Sequence, residues 1–170
     1  MFRLLLILSL FFTACSERQL VINEIKPVPK ELSIQTISKI AIPVRENGYR
    51  NFSTQVIKTK SDFDNFLAKI KNQKGWNKKE NFLQTLRLKE IDFNRYNLLL
   101  YRITEPSSST VLAVDVPRGD EQHVIINIGR DEPQMRTSDV AYYTLAYKIK
   151  KDVQNITFDN GIKKDVIQLR

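Results

Sequence analysis

Ser107-Ser108-Ser109, Asp115 and His123 are the side chains whose types match a nucleophile, an orienting acid and a general base. His123 is the sole histidine, so any imidazole-based mechanism must pass through it. The serine run follows Pro106, however, where hydroxyls commonly serve turn geometry, and no Gly-x-Ser-x-Gly elbow accompanies it. Carboxylates offer a second chemistry. Glu105 with Asp115, or the pairs Asp120-Glu121 and Asp131-Glu132, are candidate acid/base partners or calcium ligands. Both acidic pairs fall in predicted turns, where solvated charge is ordinary. The five glycines are scattered singly, so there is no glycine-rich phosphate loop. One His and one Cys cannot furnish a zinc site of the usual Cys and His ligands. The expectation is a non-enzymatic chain with no catalytic residue, no metal and no cofactor; a hydrolase is the less favoured alternative.

Two other groups have the character of binding surfaces. In "KIKNQKGWNKK", Lys69, Lys71, Lys74, Lys78 and Lys79 surround Trp76, the only tryptophan. Trp suits a headgroup boundary while Lys meets anionic charge, so the segment is a candidate for an anionic envelope component such as a lipid headgroup or lipopolysaccharide. The competing reading is a basic interhelix loop with Trp76 folded onto the core. Farther on, Tyr142, Tyr143 and Tyr147 crowd one predicted strand. Adjacent strand residues point to opposite faces, so at least one of these rings is expected at the surface. Tyr is enriched in protein interfaces because it joins a large apolar area to a polar tip.

The elements that must position these residues are mostly strands. "LSIQTISKIAIPV" and "YRNFSTQVIKT" are strand candidates ahead of a change of period. Phe63, Phe66, Leu67 and Ile70 then form an i, i+3, i+4, i+7 stripe. That spacing predicts a helix capped by Ser61 and ending before Gly75. A weaker helix is predicted over about 78–86, with Phe82, Leu83 and Leu86 apolar. "YNLLLYRIT" is continuously apolar and reads as a central strand. "TVLAVDV", "HVIINIG" and "VAYYTLAYKI" follow as strands, and Asn160-Gly161 marks a final hairpin. The expected fold class is α+β: a mainly antiparallel sheet, a curled meander, packed on one or two short helices.

The N-terminus bears on location. Arg3 precedes an apolar run over 4–12 interrupted only by Ser9, which is a secretory leader pattern, and the run is too short to span a bilayer as a helix. Phe12-Thr13-Ala14-Cys15 resembles the lipobox of bacterial lipoproteins, and Cys15 is the only cysteine. The resemblance implies cleavage before Cys15 and its acylation with palmitate-type chains. It also implies attachment to the bacterial envelope, with Ser16 pointing to the outer membrane facing the periplasm. Residues 1–14 are then a leader, 15–30 a lipidated tether whose segment Leu20 to Ile25 could instead dock as an edge strand, and 31–170 a single domain. With Cys15 acylated, no disulfide can form. The formal charge of +8 favours anionic partners. Nucleic acid is not expected for an exported chain.

From Val56 onward, "VIKTKSDFDNFL", Trp76 and "IDFNRYNLLLYR" resemble the layout of the PrcB-type domain family, which stabilises protease complexes. The chain departs from that family where a Gly-rich turn is expected and Glu105-Pro-Ser-Ser-Ser stands. The resemblance implies a non-enzymatic accessory domain that stabilises or regulates a periplasmic protein complex.

Overall fold

The computed structural model describes residues 30–33 and 35–170. The leader, Cys15 and the tether through residue 29 lie outside the described residues. The element order is β1 (Lys30–Glu31), β2 (Ile37–Ile40), a 3-10 turn (Asn47–Asn51), β3 (Gln55–Ile57), α1 (Lys60–Lys71), α2 (Lys79–Leu88), β4 (Tyr96–Glu105), β5 (Val111–Val114), β6 (Arg118–Gly119), β7 (His123–Asp131), β8 (Ala141–Lys150), β9 (Asn155–Asp159) and β10 (Lys164–Gln168). The class is α+β, with mainly antiparallel sheets and two helices. Among the described residues no helix is long and apolar enough to cross a membrane.

The strands divide between two sheets rather than curling as one. A four-stranded antiparallel sheet has the order β2-β8-β4-β3. A six-stranded one runs β1-β6-β7-β9-β10, with β5 also on β7. The four-stranded sheet is the middle layer. Leu98, Leu100 and Ala146 meet α1 and α2 on one face, while Leu99, Tyr101, Leu145, Tyr147 and Ile149 meet the second sheet on the other. This burial on both faces explains why β4 is continuously apolar instead of alternating. From β7 the chain crosses to β8 in the neighbouring sheet and returns beside β7 as β9. The β7–β9 pair is therefore parallel, with Val124 opposite Ile156.

Helix α1 buries the predicted stripe of Phe63, Phe66, Leu67 and Ile70. It is capped by Thr59 and not Ser61: the Thr59 hydroxyl accepts from the Asp62 amide at 3.0 Å and donates to the Asp62 carboxylate at 2.7 Å. Thr59 wins because it places Asp62 three residues on, where one side chain and one amide can bond reciprocally. Phe82, Leu83 and Leu86 of α2 are buried as expected. The predicted strand over 49–59 survives only as β3, because its first half winds into the 3-10 turn that buries Tyr49. The terminal hairpin forms one residue later than Asn160-Gly161 implies. The Asn160 amide donates to the Lys163 carbonyl, so Gly161-Ile162 is the central pair, and Gly161 takes φ 78°.

Candidate functional site

The N-terminal end of β8 is where two of the sequence-derived groups meet. Val44 to Glu46 run alongside this end: the Glu46 amide donates to the Tyr142 carbonyl at 3.3 Å, and the Thr144 amide to Val44 at 3.0 Å. The 3-10 turn then lays Gly48 against the Trp76 indole so closely that a Cβ on Gly48 would lie 1.3 Å from Nε1. Trp76 packs edge-on against Tyr49 and Phe82, with centroids 5.3 and 5.2 Å apart. Glycine at 48 is thus a requirement of close approach. The docking of Trp76 fixes the loop between the helices and carries Lys74 and Lys78 to the rim above Tyr142.

The result is an open cleft of about 300 Å³ bounded by Arg45, Glu46, Lys78, Ser108, Asp139 and Tyr142. It continues into a recess of about 360 Å³ bounded by Arg50, Lys74 and the shared Asn47, Val140 and Tyr142. Four cations, Arg45, Arg50, Lys74 and Lys78, face two carboxylates. Glu46 is 8% exposed, with the Lys78 ammonium 3.9 Å away. Asp139 accepts from the Ser108 hydroxyl at 2.7 Å. Hydrogen bonds from Thr137 and Ser108 hold its carboxyl below the usual carboxylate range. Arg45 donates to the Ser108 carbonyl at 2.5 Å, tying the cleft to the turn before β5. The Arg102 guanidinium stands 5.7 Å from the Tyr142 ring centroid and also donates to the Arg50 and Phe52 carbonyls. A polar cleft of both signs around a partly buried tyrosine, with Val140 exposed beside it, suits a polypeptide that presents charge and an apolar side chain together.

Other candidates fall elsewhere. Tyr143 is 5% exposed and donates to the Thr110 carbonyl at 2.7 Å, and Tyr147 is fully buried, its hydroxyl without a hydrogen-bond partner among the described residues. Both face the second sheet, so of the tyrosine cluster only Tyr142 reaches the surface. Burial moves the Tyr147 hydroxyl pKa above its ordinary range. Trp76, 8% exposed, belongs to the core and is not presented as an interfacial anchor. Aromatic contacts from Tyr49, Phe52 and Phe82 hold it there. Lys79 is engaged as well, donating to the Lys71 and Gln73 carbonyls at 2.9 Å each and so closing the end of α1. Lys69 and Lys71 are exposed on α1, away from the cleft.

The nucleophile–base grouping does not assemble. Ser107 is buried, bonded to Ser109 at 2.7 Å and to Thr137 at 2.9 Å, and Ser108 bonds Thr137 and Asp139. These hydroxyls clip the 132–140 loop to the turn before β5. Val111 pairs with Asp131 at one end of β7, and His123 begins the other end, roughly 27 Å away at strand spacing. His123 stacks its polar contacts on Asp120 instead, with Nδ1 3.3 Å from the carboxylate. Asp120 also accepts from the Gln122 and His123 amides at 2.7 Å, which lowers its pKa. Asp115 lies beside Asn127. Of the other acidic candidates, Glu105, buried, is paired with Arg130, which also meets Glu132 at 3.0 Å, and Glu132 binds Arg136. Among the described residues no three His, Cys, Asp or Glu side chains converge as metal ligands.

Arg45, Glu46, Arg50 and Asp139 are cleft residues that the sequence reading missed. Their only local signal is charge beside turn residues, at Asn47-Gly48 and in the polar loop before β8, and that signal is common in solvated loops. Comparison with known proteins returns no matching family model, no matching curated protein and no matching solved structure.

Proposed function

We propose that this chain is a lipid-anchored envelope protein whose domain is a non-enzymatic binding module for another envelope protein, engaged at the Tyr142 cleft. The observation that carries the reading is the convergence of the surface-reaching strand tyrosine with Lys74 and Lys78 of the basic loop. The lipobox ending at Cys15 supports attachment to the envelope. Dispersal of Ser107, Asp115 and His123 supports an accessory role over hydrolysis. The resemblance of residues 56–170 to the PrcB-type stabilising domains supports a partner that is itself a periplasmic assembly. Four cations against two carboxylates favour a partner surface carrying acidic residues.

In-cell crosslinking of the full-length, membrane-extracted protein tests the reading, with crosslinks mapped by mass spectrometry. Lys74 and Lys78 are expected to join one reproducible envelope protein, and Arg50→Glu, an exposed rim change, is expected to abolish those links. Links that persist in Arg50→Glu, or that form only at Lys69 and Lys71, would overturn the cleft as the site of engagement. The same sample reports on the anchor, since acylation of Cys15 shifts the mass of the N-terminal peptide.

A further inference from the structure

At the far end of the same sheet face, Tyr96 opens β4 and packs at the edge of the helix-side core. A recess of about 380 Å³ forms there from Gln35, Ser38, Lys39, Lys89, Tyr96 and Lys148. Its cations come from three elements: Lys39 from β2, Lys148 from β8, and Lys89 from the C-terminal cap of α2. Strand register puts Ser38, Tyr96 and Lys148 on the helix-side face; Lys39, which pairs with Tyr147, borders the recess from the exposed edge strand β2. The Lys148 ammonium stands 4.7 Å from the Tyr96 ring centroid and the Arg95 guanidinium 5.6 Å from it. Such contacts position a cation without neutralising it.

No carboxylate lines this recess. Among the described residues, none of Lys39, Lys89, Arg95 and Lys148 forms an ion pair. Glu90, next to Lys89 in sequence, faces the groove between α1 and α2 instead. The C-terminal end of α2 brings about half a negative charge, which three ammonium groups outweigh. Their potentials add in a concave site, where the low-dielectric wall focuses the field. The donors are three ammoniums, a hydroxyl and a carboxamide, a set suited to an oxyanion with several acceptor oxygens. We propose that the Tyr96 recess binds a phosphate group, carried either by a free phosphate or by an anionic phospholipid headgroup. The Tyr96 ring and Ile40, also in the lining, give the organic part of an ester an apolar wall. The assignment is independent of the Tyr142 cleft and of the anchor at Cys15.

Lysine-acetylation footprinting of the full-length chain tests it, read residue by residue by mass spectrometry. The additions are inorganic phosphate, phosphatidylcholine vesicles, and phosphatidylcholine vesicles containing phosphatidylglycerol. Exposed Lys69 and Lys71 serve as internal references. Selective protection of Lys39, Lys89 and Lys148 by inorganic phosphate identifies a free-phosphate site. Selective protection by the phosphatidylglycerol vesicles alone identifies a headgroup site. Lys89→Gln, an exposed change, is expected to weaken the affinity read at Lys39 and Lys148 about fivefold, the effect of removing one cation beside an anionic surface. Protection equal at all lysines, equal in pure phosphatidylcholine, absent in every arm, or unchanged in Lys89→Gln overturns the proposal.

Discussion

Tyr142 and Tyr96 stand on the same sheet face, at opposite ends of the β4–β8 pair, and their surroundings follow opposite electrostatic rules. Around Tyr142 each carboxylate has a partner, Glu46 near Lys78 and Asp139 under Ser108, and the cleft walls are tied to neighbouring turns. Around Tyr96, among the described residues, Lys39, Lys89, Arg95 and Lys148 form no ion pair, while Asp152 is paired with Lys150. A balanced cleft presents a fixed pattern of both signs and discriminates by geometry. An uncompensated one keeps its field for a ligand and discriminates by charge. The strand pair that carries both is long enough that the two ends are separated by roughly 27 Å, beyond a Debye length of about 8 Å at physiological salt. The ends should therefore respond separately to mutation.

The largest expected effect breaks one end alone. Trp76→Ala removes a buried indole from the Tyr49–Phe82 cluster and should cost about 3–5 kcal/mol in urea unfolding. Gly48→Ala should lose about 3 kcal/mol by the opposite route, since its methyl overlaps the same ring and overpacking also destabilises. In folded Gly48→Ala protein the acetylation rates of Lys39, Lys89 and Lys148 should stay at their wild-type values. A change there would show that the two ends are mechanically coupled.

A smaller effect compares the removal of one lysine from each end. Lys78→Ala leaves the Glu46 carboxylate without its cation and should destabilise by about 1 kcal/mol, a modest figure because Lys78 is largely solvated. Lys89→Gln removes a cation that has no partner and should change stability by less than about 0.5 kcal/mol, with relief of repulsion as the favoured sign. Equal losses in urea midpoint for the two variants would erase the distinction drawn between the ends.

The smallest effect is a titration. Asp139 has its folded pKa lowered, so its contribution is fully present above the ordinary carboxylate pKa of about 3.9 and disappears as pH falls through the lower, folded value. Acidification from pH 6 to well below the ordinary carboxylate value should therefore lower the protection factor of the Thr137 amide, its exchange measured against the intrinsic rate at each pH; this amide donates to Ser107 within the same clip. Asp139→Asn should flatten that pH dependence. A Thr137 amide whose acid response is the same in Asp139→Asn would assign the effect to another group.

How legible the molecule was depends on the range of the signal. The stripe of Phe63, Phe66, Leu67 and Ile70 and the apolar run of β4 are written in consecutive residues, and both appeared where expected. The Thr59 cap was missed because Thr59 and Ser61 are both competent acceptors and only the reciprocal contact with Asp62 separates them. The division into two sheets was missed because a strand's alternation does not say which sheet will cover it. Tyr143 and Tyr147 illustrate this: their parity opposite Tyr142 was readable, but a second sheet over that face was not, and it buries them.

By itself the sequence determined element type, the central position of β4, the absence of a local catalytic motif, and a surplus of cations seeking anionic surroundings. Tertiary structure alone decided where those cations stand. Arg45 and Tyr142 become neighbours only when the segment after β2 lies along β8, and Lys74 joins them only because Gly48 leaves room for Trp76. Lys39, Lys89 and Lys148 border one recess only because β2 is the edge strand beside β8 and α2 ends next to it. Periodicity is a property of neighbours in the chain, whereas electrostatic balance is a property of neighbours in space.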